Sequence, residues 1–246
     1  MTVQKMKTDI FRSGLAMVTI AMIFSGCLKS PESQAPPTAK TYISIMHLAP
    51  TAPALDVFFN DERVSTNSFD PGAVTPRYNS IDKGSFSVKF KKGGVDSLVA
   101  QVPLALYDSS KFYTLFIYNQ QANGVANAVR IKDDFSDLIS NSTKPYYRFF
   151  HGSPNTGAVD FYIDNVKLEN GRAAADNAAN ELLNKFLATT SGSHSVQVKL
   201  TGTDTVVASL NLVDLLAGNA YTFYLKGLDG GTGLNELSIG VLQAAN

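Results

Sequence analysis

The chain has 246 residues, enough for one large or two ordinary domains, and a hydrophobic content of 44% supports a packed core and argues against disorder. Lys plus Arg and Asp plus Glu balance at 21 each, so there is neither the basic field of a nucleic-acid binder nor an acidic tail. Trp is absent while Tyr and Phe number 10 and 15, so rings and β-branched residues must build the core, and the single Cys excludes an intrachain disulfide.

Residues 1–26 read as an export signal. Lys5, Lys7 and Arg12 form a positive n-region, and Gly14 to Phe24 is an apolar run of 11 residues, short for a bilayer span but suited to a signal-peptide h-region. Phe24-Ser25-Gly26-Cys27 follows and resembles a bacterial lipobox, with Phe where Leu is more usual. That resemblance implies cleavage after Gly26 and lipidation of Cys27; the alternative is an ordinary secretory signal with an unmodified Cys. Three acyl chains at about 0.8 kcal/mol per buried methylene would make a durable anchor. Loss of residues 1–26 removes three positive side chains and one negative, leaving 18 against 20 and a formal net charge of −2, which gives no case for binding anionic lipid electrostatically. Residues 27–40 form a tether: Pro31, Pro36 and Pro37 with Ser and Gln build no core and favour extended backbone. Leu28 after the Cys, rather than Asp, fits sorting to an outer membrane. The expected location is therefore the cell envelope, lipid-anchored at the outer membrane, with its face open.

The rest of the chain repeats itself. His47 to Asn60 (HLAPTAPALDVFFN) returns as His151 to Asp164 (HGSPNTGAVDFYID) at an offset of 104. Gly84 to Phe90, Asp96 to Ala100 and Tyr113 to Ile117 return as Gly192 to Val198, Asp204 to Ala208 and Tyr221 to Leu225 at an offset of 108. One copy thus carries four extra residues, between Val64 and Tyr78 or between Leu168 and Phe186. A domain-sized period marks a tandem duplication rather than a solenoid. Two modules are expected, 41–140 and 145–246, joined through Ser140 to Pro145.

Within each copy the period is two. Phe86, Val88 and Phe90 share one face and Ser85, Ser87 and Lys89 the other; Leu55, Val57 and Phe59 alternate with Asp56 and Phe58. Phe112 to Tyr118 is apolar on both faces, as in a central strand. Six or seven short strands per copy, bounded by Gly, Pro, Asn and Asp, predict an all-β protein of two tandem antiparallel β-sandwiches of immunoglobulin or prealbumin-like type. Ala173 to Leu183 stands apart, as a short surface helix of copy two or an irregular loop, since Asn177 and Asn180 are poor helix formers.

The opening motif, with the later Gly-Ser-x-Ser-Val and Tyr-Thr-Leu/Phe stretches, resembles a bacterial envelope family known as domain of unknown function 4397, over nearly all of 41–246. The resemblance implies an exported β-rich module, often in tandem, with no established activity. Asp61, where the family usually has Gly, and Gly157, in place of the second Pro, bear on loop shape.

The motif residues are His47, Pro50 and Asp56 in copy one and His151, Pro154 and Asp160 in copy two. Each His shares the phase of the preceding core residues, which makes it a neutral imidazole serving backbone groups of the Pro-rich turn; the sharper reading is a His–Asp pair acting as general base or metal ligand. One His and one Asp fall short of a zinc ligand set, and no third candidate repeats. Asp56 and Asp160 read as carboxylates capping loop N–H groups, or as calcium or sugar ligands; Asp61-Glu62 and Asp133-Asp134 do not recur to complete a calcium loop. Asp164-Asn165 reads as a hairpin turn, His194 as a strand-edge substitution for Phe86, and Gly227 to Gly233 as a hairpin loop, because a phosphate cradle needs a following helix. No Gly-x-Ser-x-Gly nucleophile or paired-carboxylate pattern occurs. Phe58, Tyr162, Phe116 and Tyr224 lie off the core phase and face either a second sheet or a sugar or protein partner. No catalytic, cofactor or metal residue is assigned. The expected function is a lipid-anchored, non-catalytic binding or scaffolding module for a glycan, envelope polymer or protein partner, touching the membrane through Cys27 and no nucleic acid. A hydrolase using one His/Asp motif and an assembly subunit of a surface structure are the alternatives.

Overall fold

The structure is a computed structural model and describes residues 38–245. The signal segment 1–26, Cys27 and the tether up to residue 37 lie outside the described residues. Residues from Thr38 onward form one compact unit.

The first copy supplies β1 (Lys40–Leu48), β2 (Leu55–Phe59), β3 (Glu62–Arg63), β4 (Asn79–Asp82), β5 (Gly84–Lys92), β6 (Leu98–Tyr107), β7 (Phe112–Asn119), β8 (Ala126–Asp133) and the one-turn helix α1 (Ser136–Ser140). The second supplies β9 (Tyr146–His151), β10 (Val159–Ile163), β11 (Val166–Arg172), α2 (Asp176–Ala179), a 3-10 turn (Glu181–Asn184), β12 (Leu187–Ala188), β13 (Gly192–Leu200), β14 (Val206–Leu215), β15 (Ala220–Lys226) and β16 (Ser238–Ala245). They make two sandwiches of two four-stranded sheets each: β4-β1-β7-β8 over β3-β2-β5-β6, and β12-β9-β15-β16 over β11-β10-β13-β14. The strand count per copy is eight rather than six or seven, because β3 and β12 are only two residues long. The sheets are not purely antiparallel. β1 pairs parallel with β7, and β9 with β15, because each copy's first strand enters the sheet beside a strand reached only after a long excursion through the opposite sheet.

The duplication holds at the level of register. Ile43 pairs with Tyr113 and Tyr147 with Tyr221; Ile43 also pairs with Asn79 and Tyr147 with Leu187. β12 is therefore the counterpart of β4 at the larger offset, so the four extra residues belong to the second copy, in the stretch that forms α2 and the 3-10 turn.

The alternation read from the sequence builds each core. Ile43, Ile45, Tyr113, Leu115 and Ile117 meet Leu55, Val57, Val88, Phe90 and Val102 between the first two sheets. Tyr147, Phe149, Phe223 and Leu225 meet Val159, Phe161, Val196 and Val198 between the other two. The opposite faces of the central strands are equally apolar and close on each other. Met46, Leu48, Phe116 and Ile131 of the first module pack with Phe150, Tyr224 and Leu242 of the second. Tyr78, Phe112, Phe135 and Leu138 continue the seam against Tyr146, Phe186, Ala220 and Ala244. Phe116 and Phe150 meet edge to face at 5.2 Å between ring centroids. Burial of each large apolar side chain is worth roughly 1.5–3 kcal/mol, so the modules share a core rather than hang on a linker.

A buried ion pair sits in this seam. Arg148 of β9 is 1% exposed and bonds Asp133 of β8 through Nη1, Thr114 Oγ1 through Nη2 at 3.0 Å and Thr222 Oγ1 through Nε at 2.9 Å. The other oxygen of Asp133 accepts from the Tyr78 hydroxyl at 2.6 Å and the Thr114 hydroxyl at 2.7 Å. The guanidinium also lies over the Phe150 and Phe186 rings, at 4.9 and 4.4 Å. Burial, and then the neighbouring Asp133 charge, push the Tyr78 phenol well above its ordinary value, so it stays a donor.

Candidate functional site

His47 is the penultimate residue of β1 and His151 the last of β9, each leading into the loop that carries the motif prolines. Both rings are buried. The Nε2–H of His47 donates to the Pro53 carbonyl at 3.1 Å, and that of His151 to the Gly157 carbonyl at 3.1 Å. The bond goes to a backbone oxygen six residues on, so Gly in place of Pro leaves it intact. Nδ1 of His151 accepts from the Ser153 N–H at 3.3 Å, whereas Nδ1 of His47 is buried without a partner. Burial lowers both imidazole pKa values, against the upward pull of the carbonyl each ring bonds and of Asp70 or Asp176 nearby. Each is a neutral ring that closes its own loop. Pro50 is buried and Pro154 half-buried in those loops.

Asp56 and Asp160 find different company. Asp56 accepts from Arg63 Nη2 at 2.8 Å, Ser68 Oγ at 2.7 Å and the Gly94 N–H at 3.0 Å. The Gly94 and Ser68 bonds hold its carboxyl below the usual carboxylate range. Asp160 accepts from the Gly171 N–H at 2.9 Å, Thr201 Oγ1 at 2.8 Å and Lys167 Nζ at 2.5 Å. Burial pushes Asp160 up, but these donors outweigh it and hold it low. The backbone groups come from the β5–β6 hairpin and from β11. Neither aspartate shares a hydrogen bond with its module's histidine. Among the described residues no group of three or more His, Cys, Asp or Glu is placed to hold a metal ion.

The other marked residues fall as follows. Asp164 and Asn165 both take positive φ, 48° and 64°, and turn β10 into β11. His194 lies between Asp164 Oδ2 at 2.6 Å and the Thr190 carbonyl at 2.9 Å, and the ring pins that turn to β13. The bond to His194, and then the Ser195 N–H, hold Asp164 below its ordinary range. The glycine-rich loop joins β15 to β16, and a Cβ on Gly231 would come within 2.0 Å of the Asn235 carbonyl oxygen. Phe116 and Tyr224 do face a sheet, that of the other module. Phe58 and Tyr162 do not: lysines cover them, Lys91 at 4.5 Å over Phe58, and Lys199 and Lys167 at 4.8 and 5.7 Å over Tyr162.

Two features escaped the sequence reading. One is the Arg148–Asp133 pair, whose only local signal is an Arg within the apolar run Tyr146 to Phe150. The other is a groove of about 470 Å³ between Val129 to Lys132 of β8 and the helical segment of the second module, represented by Ala178, Leu182 and Lys185. That segment is held from beneath. Arg172, also buried, clamps Asp176 through two bonds of 2.8 Å, and Asn177 donates to the Phe149 carbonyl at 3.3 Å and to Asn184 Oδ1 at 2.9 Å. A smaller apolar hollow of about 150 Å³ opens beside Ile43, Val57, Phe59 and Phe69 in the first module. At 300–1,000 Å³, ligand pockets match the groove and exceed the hollow.

A family model described as Domain of unknown function (DUF4397) matches residues 41–162 and again 145–238. No curated protein matches the chain.

Proposed function

From the premise that the chain belongs to the DUF4397 family, whose model covers it twice, we propose a lipid-anchored cell-envelope protein that acts as a non-catalytic binding or scaffolding module. One observation carries this reading: the polar motif residues are occupied with the fold itself. His47 and His151 close their loops, and Asp56 and Asp160 fasten neighbouring backbone, so a hydrolase built on the motif pairs His47/Asp56 or His151/Asp160 has no dyad to use. What the protein offers a partner is surface on a rigid pair of sandwiches. Cys27 and its tether supply the attachment, at the outer membrane. The partner is a glycan, an envelope polymer or a protein.

A thermal-shift screen of residues 28–246 against polysaccharides, peptidoglycan fragments and envelope peptides tests the binding role. A ligand at a hundred times its Kd adds about 2.7 kcal/mol, a rise of several degrees for a protein of this size. Hydrolysis of any of these compounds, lost on His47→Gln or His151→Gln without loss of stability, would overturn the non-catalytic reading. For the anchor, Cys27→Ser should move the protein from the membrane fraction to the soluble one; retention would sink the lipid assignment.

A further inference from the structure

The four residues that the second copy has and the first lacks lie in the stretch that folds into α2 and the 3-10 turn, and this stretch forms one wall of the 470 Å³ groove. The other wall is a sheet edge. β8 hydrogen-bonds to β7 along its whole length, and among the described residues no strand pairs with its far side. Consecutive residues Val129, Arg130, Ile131 and Lys132 all line the groove, so both side-chain phases reach it and the strand's edge faces it. An unpaired strand edge presents backbone N–H and C=O groups that an extended chain can satisfy. No aromatic side chain lines the groove, so a sugar ring has no face to stack on.

The charges narrow the partner further. Arg130 is engaged with the Leu106 carbonyl and lies over Tyr107 and Tyr113, and Asp134 takes the Ser136 N–H. The lining carries three cations, Arg130, Lys132 and Lys185, against two carboxylates, Asp134 and Glu181, a formal excess of one positive charge; Lys132 also makes a loose exposed pair with Asp108 at 3.7 Å. Ala178 and Leu182, the latter 67% exposed, add an apolar strip opposite β8. We propose that this groove binds an extended acidic segment of a protein partner, added as a strand on β8, with alternate apolar residues toward Ala178 and Leu182 and acidic residues toward Lys132 and Lys185. The inference rests on the binding-module reading and names its partner class.

The test uses the full-length protein in detergent and a labelled, capped octapeptide of alternating valine and glutamate, followed by fluorescence anisotropy and by hydrogen exchange. Saturable binding is expected, with slowed exchange in β8 and in residues 176–184. The double variant Lys132→Glu/Lys185→Glu should weaken it about tenfold or more, and a valine–lysine octapeptide should bind correspondingly worse. Leu182→Glu, a change at an exposed side chain, should also weaken binding and serves if the charge reversal disturbs folding. No saturable binding, protection elsewhere, or indifference to these variants would overturn the proposal. A polysaccharide that raises the melting temperature without protecting β8 would sink the groove assignment and leave the broader binding role standing.

Discussion

Replacement of Arg148 by Met probes the seam between the modules most directly. Asp133 has no exposed side-chain surface, and among the described residues Arg148 is its only cationic partner. Without the guanidinium the carboxylate keeps two hydroxyl donors and no counter-charge. Breaking a buried ion pair from one side costs about 3–5 kcal/mol. At roughly 2–4 °C per kcal/mol for a domain of 150–250 residues, the melting temperature should fall by about 6–20 °C. Met also loses the hydrogen bonds to Thr114 and Thr222, which places the cost toward the upper end. The companion variant Arg148→Met/Asp133→Leu removes both charges and should recover much of the loss. It leaves the Tyr78 hydroxyl without its acceptor, a residual cost of about 1–3 kcal/mol. Urea titrations of wild type, both single variants and the double variant complete the cycle. A loss below about 1 kcal/mol for Arg148→Met, or a double variant no better than the single, would refute the account. So would calorimetry showing two separate transitions for the wild type, because a shared core requires the modules to unfold together.

Further outcomes follow from the same packing. Phe116→Ala should cost about 3–5 kcal/mol and loosen both modules at once; hydrogen-exchange loss confined to the first would contradict the shared seam. Gly152→Ala should destabilise by about 1–3 kcal/mol, since the new Cβ would lie 2.6 Å from that of Leu48 and 2.9 Å from the Leu225 carbonyl oxygen; an unchanged urea midpoint would show that the seam yields there. Stability should also fall with acid. His47 and His151 have folded pKa values below the unfolded value of about 6.5, so the unfolded chain binds protons first. Their contribution is present above pH 6.5 and is lost as pH drops toward the folded values, by up to about 1.4 kcal/mol per pH unit for each ring. Urea midpoints between pH 7.5 and 5 should show this slope, and His47→Gln/His151→Gln should flatten it.

The sequence by itself determined the architecture within each copy. Alternation of side chains is a local property of extended backbone, so Phe86, Val88 and Phe90 declare their shared face without knowledge of a partner strand. The Asp164-Asn165 turn is equally local, because these two residues tolerate positive φ. The repeat fixed the module count, since two copies of one pattern fold alike, down to the matched registers of β1 with β7 and β9 with β15. Tertiary structure decided the rest. A strand apolar on both faces, such as Phe112 to Tyr118, must be covered twice, but nothing in it says that the second cover is the sister module. The Arg148–Asp133 pair joins residues on strands of different modules, so no spacing motif announces it. The motif residues show the limit most plainly. His47 and Asp56 stand nine positions apart in a pattern that suits a dyad, yet the fold turns one to the Pro53 carbonyl and the other to Arg63, Ser68 and Gly94. Spacing along the chain brings side chains into the same neighbourhood, whereas hydrogen-bond partners are assigned by the loops and strands that three-dimensional packing delivers.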